Sequence, residues 1–129
     1  MDEIVQFLRE RYDEEAALAE VASPGPWHAD PESDEVLACD GITVADGFAL
    51  SGRQLRATTE HIARCNPARV LAEIEAKRRI VGLMASMLDA AEGDFEVDHY
   101  GGLSAAEDTL ELLALPYADH PDYREEWRP

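Results

Sequence analysis

Two proline-marked breaks limit what this chain can fold into. The first is Ser23-Pro24-Gly25-Pro26, followed at once by Trp27, and the second is Asn66-Pro67. A proline inside a helix removes a backbone donor and clashes with the preceding turn, so no helix is expected to run through either site. Before the first break, Ile4, Leu8, Tyr12, Ala16 and Ala19 recur at helical spacing, with Val5, Leu18 and Ala22 beside them. The pattern predicts a helix over 2–22, with Asp2 and Glu3 favoured at its start by the helix dipole.

Between the breaks the pattern changes period. Trp27-His28-Ala29 reads as a short strand, and an acidic loop follows from Asp30 to Glu35. Val36–Cys39 and Ile42–Ala45 read as two more strands, with Asp40-Gly41 placed to form a two-residue type I′ turn. Two strands are marginal alone in water, so a sheet within 23–46 must pack on helices, with Trp27 as the apolar plug. A helical pair then fills 51–91. Ser51 is the candidate N-cap of a helix to Cys65; Asn66 caps a third helix with Pro67 at its first position.

That third helix can reach about Ala91, roughly 37 Å at 1.5 Å per residue. Val70, Ile74, Val81, Met84 and Leu88 lie near one face, and Leu71, Ile80, Leu83 and Met87 widen the stripe. Gly82 is a weak point where it can bend. Gly93 and Gly101-Gly102 mark a loop before a C-terminal helix within 103–116, capped by Ser104 with Glu107 completing a capping box. Leu110, Leu113 and Ala114 would face the core and Pro116 would end the helix. The tail, 117–129, sets Tyr117, Tyr123 and Trp127 among charges. The expected fold class is α+β in one domain over 1–129: a hairpin or three-stranded antiparallel sheet on about four helices.

Charge is unevenly placed along the 129 residues, which total −17. Residues 1–35 carry eleven acids and two bases, as do residues 92–129, so each end is −9. Residues 36–91 carry six acids and seven bases, a net +1. Such ends disfavour non-specific binding to nucleic acid or to anionic membrane, and they attract basic partners. No apolar run of membrane-spanning length occurs. The acidic start lacks the basic, then apolar, order of a secretory signal. Two cysteines, Cys39 and Cys65, make no disulfide framework, so a reduced cytoplasmic protein is expected.

Residues with chemical potential are few. His61 and Cys65, spaced i, i+4, would share a helix face and form half of a metal site. Zinc needs at least three protein ligands, and His28, Cys39, His99 and His120 are scattered. A Cys65–His61 nucleophile pair lacks a third member and an oxyanion hole. The simpler expectation is a locally bonded His61 and a small buried Cys65. Asp98-His99 reads as solvated, and Gly101-Gly102 lacks the pattern of a phosphate loop. No catalytic residue and no cofactor is expected. Arg64, Arg69, Lys77, Arg78 and Arg79 lie on or beside the long helix. They suit i, i+4 pairs such as Glu73–Lys77 and Glu75–Arg79, or contacts with the acidic ends or with an acidic partner.

Pro-Gly-Pro-Trp27, then a hairpin, then His61-Ile62-Ala63-Arg64-Cys65-Asn66-Pro67-Ala68-Arg69-Val70-Leu71-Ala72-Glu73-Ile74 resembles a family of small uncharacterised actinobacterial proteins, common in streptomycetes and actinophages. The ending Thr109–Trp127 is similar to that family's ending. The centre is more loosely similar to early-region proteins of lambdoid phages. The resemblance implies no established activity. Many relatives carry a cysteine cluster suited to structural zinc before the last helix, and often a histidine where Cys65 stands. Here Asp94–Gly102 holds no cysteine, so the chain is expected to fold without zinc.

The function expected is therefore non-enzymatic: a small acidic interaction or accessory regulatory protein, phage-associated, that binds a protein partner. Trp27, Arg69, Arg78, Met84, Met87, Tyr117, Tyr123 and Trp127 are the candidate contact residues. An acidic mimic of DNA is the alternative, and a metal-dependent or Cys/His enzyme the third. The wide stripe with Met84 and Met87 and the tail aromatics also suggest a homodimer, its contact on the charge-balanced centre.

Overall fold

A computed structural model of the protein describes residues 1–91 and 101–129. They fall into two compact units, one of residues 1–13 with 76–129 and the other of residues 14–75. Four helices and one three-stranded antiparallel sheet make the fold α+β.

The second unit holds the sheet. Strands β1 (His28–Asp30), β2 (Glu35–Leu37) and β3 (Thr43–Asp46) pair in the order β1-β2-β3, with Ala29 opposite Val36 and Val36 opposite Ala45. Helix α2 (Gly52–Arg64) packs on β1 and β2. Val36 and Ala38 are fully buried and Thr59 and Ala63 of α2 are nearly so. Ser51 caps α2 as its sequence position suggests, its hydroxyl accepting from the Gln54 N–H at 3.2 Å. Trp27 is only half-buried, and its indole N–H donates to the Ser23 carbonyl at 2.9 Å, inside its own loop.

The hairpin turn differs from the two-residue form. Gly41 alone has a positive φ, +83°, whereas a type I′ turn needs two such residues. The Ala38 N–H donates to the Ile42 carbonyl and the Gly41 N–H to the Ala38 carbonyl, so Cys39-Asp40-Gly41 form a three-residue loop. Asp40 stays out of the left-handed region, and its carboxylate accepts from the Ile42 N–H at 3.0 Å. One glycine is enough for this loop, in which the last residue takes the positive φ.

The two proline-marked breaks meet in this unit. Asn66 caps helix α3 (Pro67–Ala91), its side-chain oxygen accepting from the N–H groups of Ala68 and Arg69 at 3.0 and 3.2 Å. Gly25 lies against that cap: a Cβ there would stand 2.6 Å from the Asn66 oxygen and 2.9 Å from the Ala68 nitrogen. No side chain fits, which explains a glycine between the prolines.

The first unit is built on the start of helix α1 (Asp2–Val21), the later part of α3, helix α4 (Gly102–Ala114) and the segment that follows it. Ile4, Leu8 and Tyr12 are buried as their spacing predicts, and so are Val5, Phe7 and Arg11. Val81, Ala106, Leu110 and Ala114 are fully buried, while Leu113 is half-buried. Helix α4 starts three residues earlier than Ser104 would place it. Gly101, at φ +71°, is the N-cap and no side chain caps the helix, so Ser104 lies in the first turn and forms no capping box. A glycine takes that backbone without steric cost. The expectations for Gly93, Asp98 and His99, and most of the stretch Asp94–Gly102, lie outside the described residues.

Two apolar expectations, for α1 and for Cys65, are corrected by exposure, and the α3 stripe proves partly uncovered. Leu18 is 71% exposed, and Ala22 is exposed too, so the buried face of α1 narrows after Ala16. Of the apolar stripe on α3 only Ile74 and Val81 are buried; Val70, Leu71, Met84 and Leu88 are half-buried, and Ile80, Leu83 and Met87 are exposed. The helix thus buries a narrow seam within its own chain and leaves the rest of the wide stripe uncovered. Cys65 is exposed, because it sits at the C-cap of α2, where the helix gives way to the Asn66 cap.

Candidate functional site

The first two turns of α1 alternate inward and outward residues. Phe7 points to the core and is 4% exposed, while Asp2, Glu3, Gln6 and Glu10 stay in solvent. The chain after α4 supplies the opposite wall. A 3-10 turn over Leu115–Tyr117 leads to two reverse turns, in which the His120 N–H donates to Tyr117 and the Tyr123 N–H to His120. A second 3-10 turn, Glu125–Trp127, ends the wall.

These turns bring four rings around Phe7. Trp127 is 5.1 Å from it between centroids, His120 5.6 Å, Tyr117 6.1 Å and Tyr123 6.2 Å, with all but Trp127 edge-on. Edge-on and tilted rings at this range gain from the aromatic quadrupole beyond their buried area. Tyr123 and Trp127, named among the candidate contact residues, are 9% and 7% exposed. The tail is part of this unit's core. The Tyr123 hydroxyl is buried without a hydrogen-bond partner among the described residues.

Arginines close the cluster. The Arg11 guanidinium lies 4.9 Å from the Phe7 ring centre, Arg124 5.7 Å from Trp127 and Arg128 5.8 Å from Tyr123. Arg11 also donates to His120 Nδ1 at 3.2 Å, and the Asp122 N–H donates to the same nitrogen at 3.0 Å. Both donors can only give a proton, so Nδ1 is their shared acceptor. Arg124 pairs with Glu3 and with Glu126, and Arg128 forms a two-pronged pair with Glu125 at 2.8 and 3.0 Å. Hydrogen bonding from Arg128 lowers the Glu125 carboxyl below its ordinary value, and Glu125 raises Arg128 in turn.

Above the rings lies an open groove of about 720 Å³, lined by Phe7, Tyr123 and Trp127 below and Asp2, Glu3, Glu10, Asp122 and Arg124 at the rim. Four carboxylates against one guanidinium give it a negative field. A cation entering it meets carboxylates at the edge and aromatic faces beneath, the pairing that recognises ammonium and guanidinium groups.

The other expected contact residues lie elsewhere. Arg78 donates to Asp13 at 2.8 Å, one case of the basic helix meeting an acidic end. Arg69 binds Glu73 at 2.9 Å, the pairing that replaces the expected Glu73–Lys77 contact. Met84 is half-buried and Met87 41% exposed on α3. His61 and Cys65 do share a face, with Nε2 and Sγ 4.0 Å apart. Among the described residues no group of three or more His, Cys, Asp or Glu could hold a metal ion, and no helix is long and apolar enough to cross a membrane. Sequence reasoning missed Phe7, Arg11 and the acidic rim, whose partners lie more than a hundred positions away; the close of charges with aromatics after Pro116 was the available signal.

The sequence model of a family described as a family of unknown function matches the chain from residue 1 to 129. No curated protein and no solved structure matches it.

Proposed function

The chain belongs to the family of unknown function DUF6221 over its whole length, and from that premise we propose that it is a small acidic interaction protein that docks a basic segment of a protein partner. The groove carries this reading: three aromatic residues under a rim of four carboxylates and one arginine. Arg11, Arg124 and Arg128 already stack on these rings, so the cluster's affinity for guanidinium is exercised within the chain. Lysine or arginine side chains of a partner would compete for the same faces and gain the rim's field. The net charge of −17 would speed encounter with such a partner. In this reading the protein is a cytoplasmic accessory regulator without catalytic residues, in the actinobacterial and phage setting that its sequence resemblance suggests.

The experiment is a binding titration of the full chain with a labelled Arg/Lys-rich peptide and with a Glu/Gln-rich control of equal length. The basic peptide should bind, weaken several-fold from low to physiological salt, and weaken at least threefold with Glu10→Gln plus Asp122→Asn. Equal binding of both peptides, or no effect of the double variant, would refute the groove. Displacement of a DNA-binding protein from DNA without peptide binding would favour the nucleic-acid mimic instead.

A further inference from the structure

We infer that His61 and Cys65 are half of a metal site that a second copy of this chain completes, as a Cys2His2 centre for a zinc-like divalent cation. Both residues are exposed at the end of α2, one turn apart, with Nε2 of His61 facing Sγ of Cys65 at 4.0 Å. A tetrahedral metal with bonds of about 2.3 Å to sulfur and about 2.0–2.1 Å to nitrogen needs the two ligands about 3.5 Å apart. The pair is within about half an ångström of that separation, a gap that a small χ rotation closes. The pair is pre-set by the helix itself, since residues four apart stand one above the other.

Among the described residues no third ligand joins the pair. Two chains supply two sulfurs and two nitrogens, the full set for tetrahedral zinc. The surroundings permit that approach. Arg64 is paired with Glu60 at 3.0 Å and Arg69 with Glu73 at 2.9 Å, so the charges flanking the pair are matched. The stretch around the pair, residues 52–69, holds four arginines and one glutamate, so the acidic excess of the chain is not carried by this helix end. On binding, each Cys65 thiol loses its proton to solvent and each His61 offers its Nε2 lone pair with the ring proton on Nδ1. The fold does not depend on this metal. The inference is independent of the groove, which belongs to the other unit.

The test uses the full chain with a non-thiol reductant and cobalt(II), followed by zinc competition. The expected result is thiolate-to-cobalt absorption that saturates at one metal per two chains, with the mass doubling by light scattering and both effects reversed by a chelator. His61→Ala and Cys65→Ser should each weaken binding at least tenfold and keep the protein monomeric, with unchanged circular dichroism. Cys39→Ser, the other exposed thiol, should behave as the parent. A monomer throughout, saturation at one metal per chain, or equal binding by His61→Ala would overturn the inference.

Discussion

Phe7→Ala is the sharpest test of the aromatic cluster. The side chain is 4% exposed and meets Tyr117, His120, Tyr123, Trp127 and the Arg11 guanidinium. Truncation removes the transfer energy of the ring and leaves a cavity, together about 3–5 kcal/mol for a buried phenylalanine. Proteins of this size are stable by about 5–15 kcal/mol, so the loss is a large share of the total. With a urea slope of about 2 kcal/mol per molar, the midpoint should fall by about 2 M. The chain has two tryptophans, Trp27 and Trp127. In a Trp27→Phe background, Trp127 fluorescence reports the cluster directly. Phe48→Ala is the control, because Phe48 is 89% exposed and its loss should stay within about 0.5 kcal/mol. A Phe7→Ala midpoint shift below about 0.5 M, or one no larger than the control's, would refute the reasoning.

The remaining predictions are narrower. His120→Ala removes an acceptor of the buried Arg11 and should cost about 1.5–3 kcal/mol, with His120→Asn recovering part of it in the same urea assay. Gly25→Ala forces a Cβ onto Asn66 and Ala68 and should destabilise by about 1–3 kcal/mol, whereas Gly82→Ala, with open space around it, should be neutral or stabilising by thermal melts. Asp30 is held below its ordinary carboxyl value, chiefly by the Glu32 N–H and also by Ser33. Its depressed value means that its contribution is present above the unfolded-state value and is lost as pH falls through the folded one. An NMR titration of its carboxyl carbon should give a midpoint below that of an exposed aspartate, and Ser33→Ala should raise it.

Much of the fold was legible because its signals are local. Ser51 and Asn66 cap where their side chains predict, and Pro67 starts α3. The strands fell within a residue or two of their positions. The loop between β2 and β3 was misread because Asp-Gly suits two turn types, and the choice depends on which residues pair across it. Phe7 and Arg11 lie one row off the face chosen for α1, and what buries them lies far along the chain. For the same reason nothing near the tail aromatics in sequence pointed to Phe7 as what they pack on. The groove was legible only as charge and rings at both ends of the sequence, with no local sign that they would meet.

That distance also governs how the chain reaches its native state. Arg11 waits for His120 across 109 positions, and Glu3 for Arg124 across 121. The sheet needs no such wait, because its strands pair with immediate neighbours in sequence. Loop closure costs about 0.6 kcal/mol more per doubling of length, so joining ends about 110 apart costs roughly 2.5–3 kcal/mol more than closing a five-residue hairpin. Refolding should therefore be slower than the helix content alone suggests, with the sheet ahead of the rings. In stopped-flow refolding, the Trp127 signal should lag the strand signal in circular dichroism; simultaneous phases would contradict this order. For as long as the lag lasts, Phe7 and Trp127 are sticky, uncovered surfaces, and the dense negative charge near both ends keeps unfinished chains apart while they find each other.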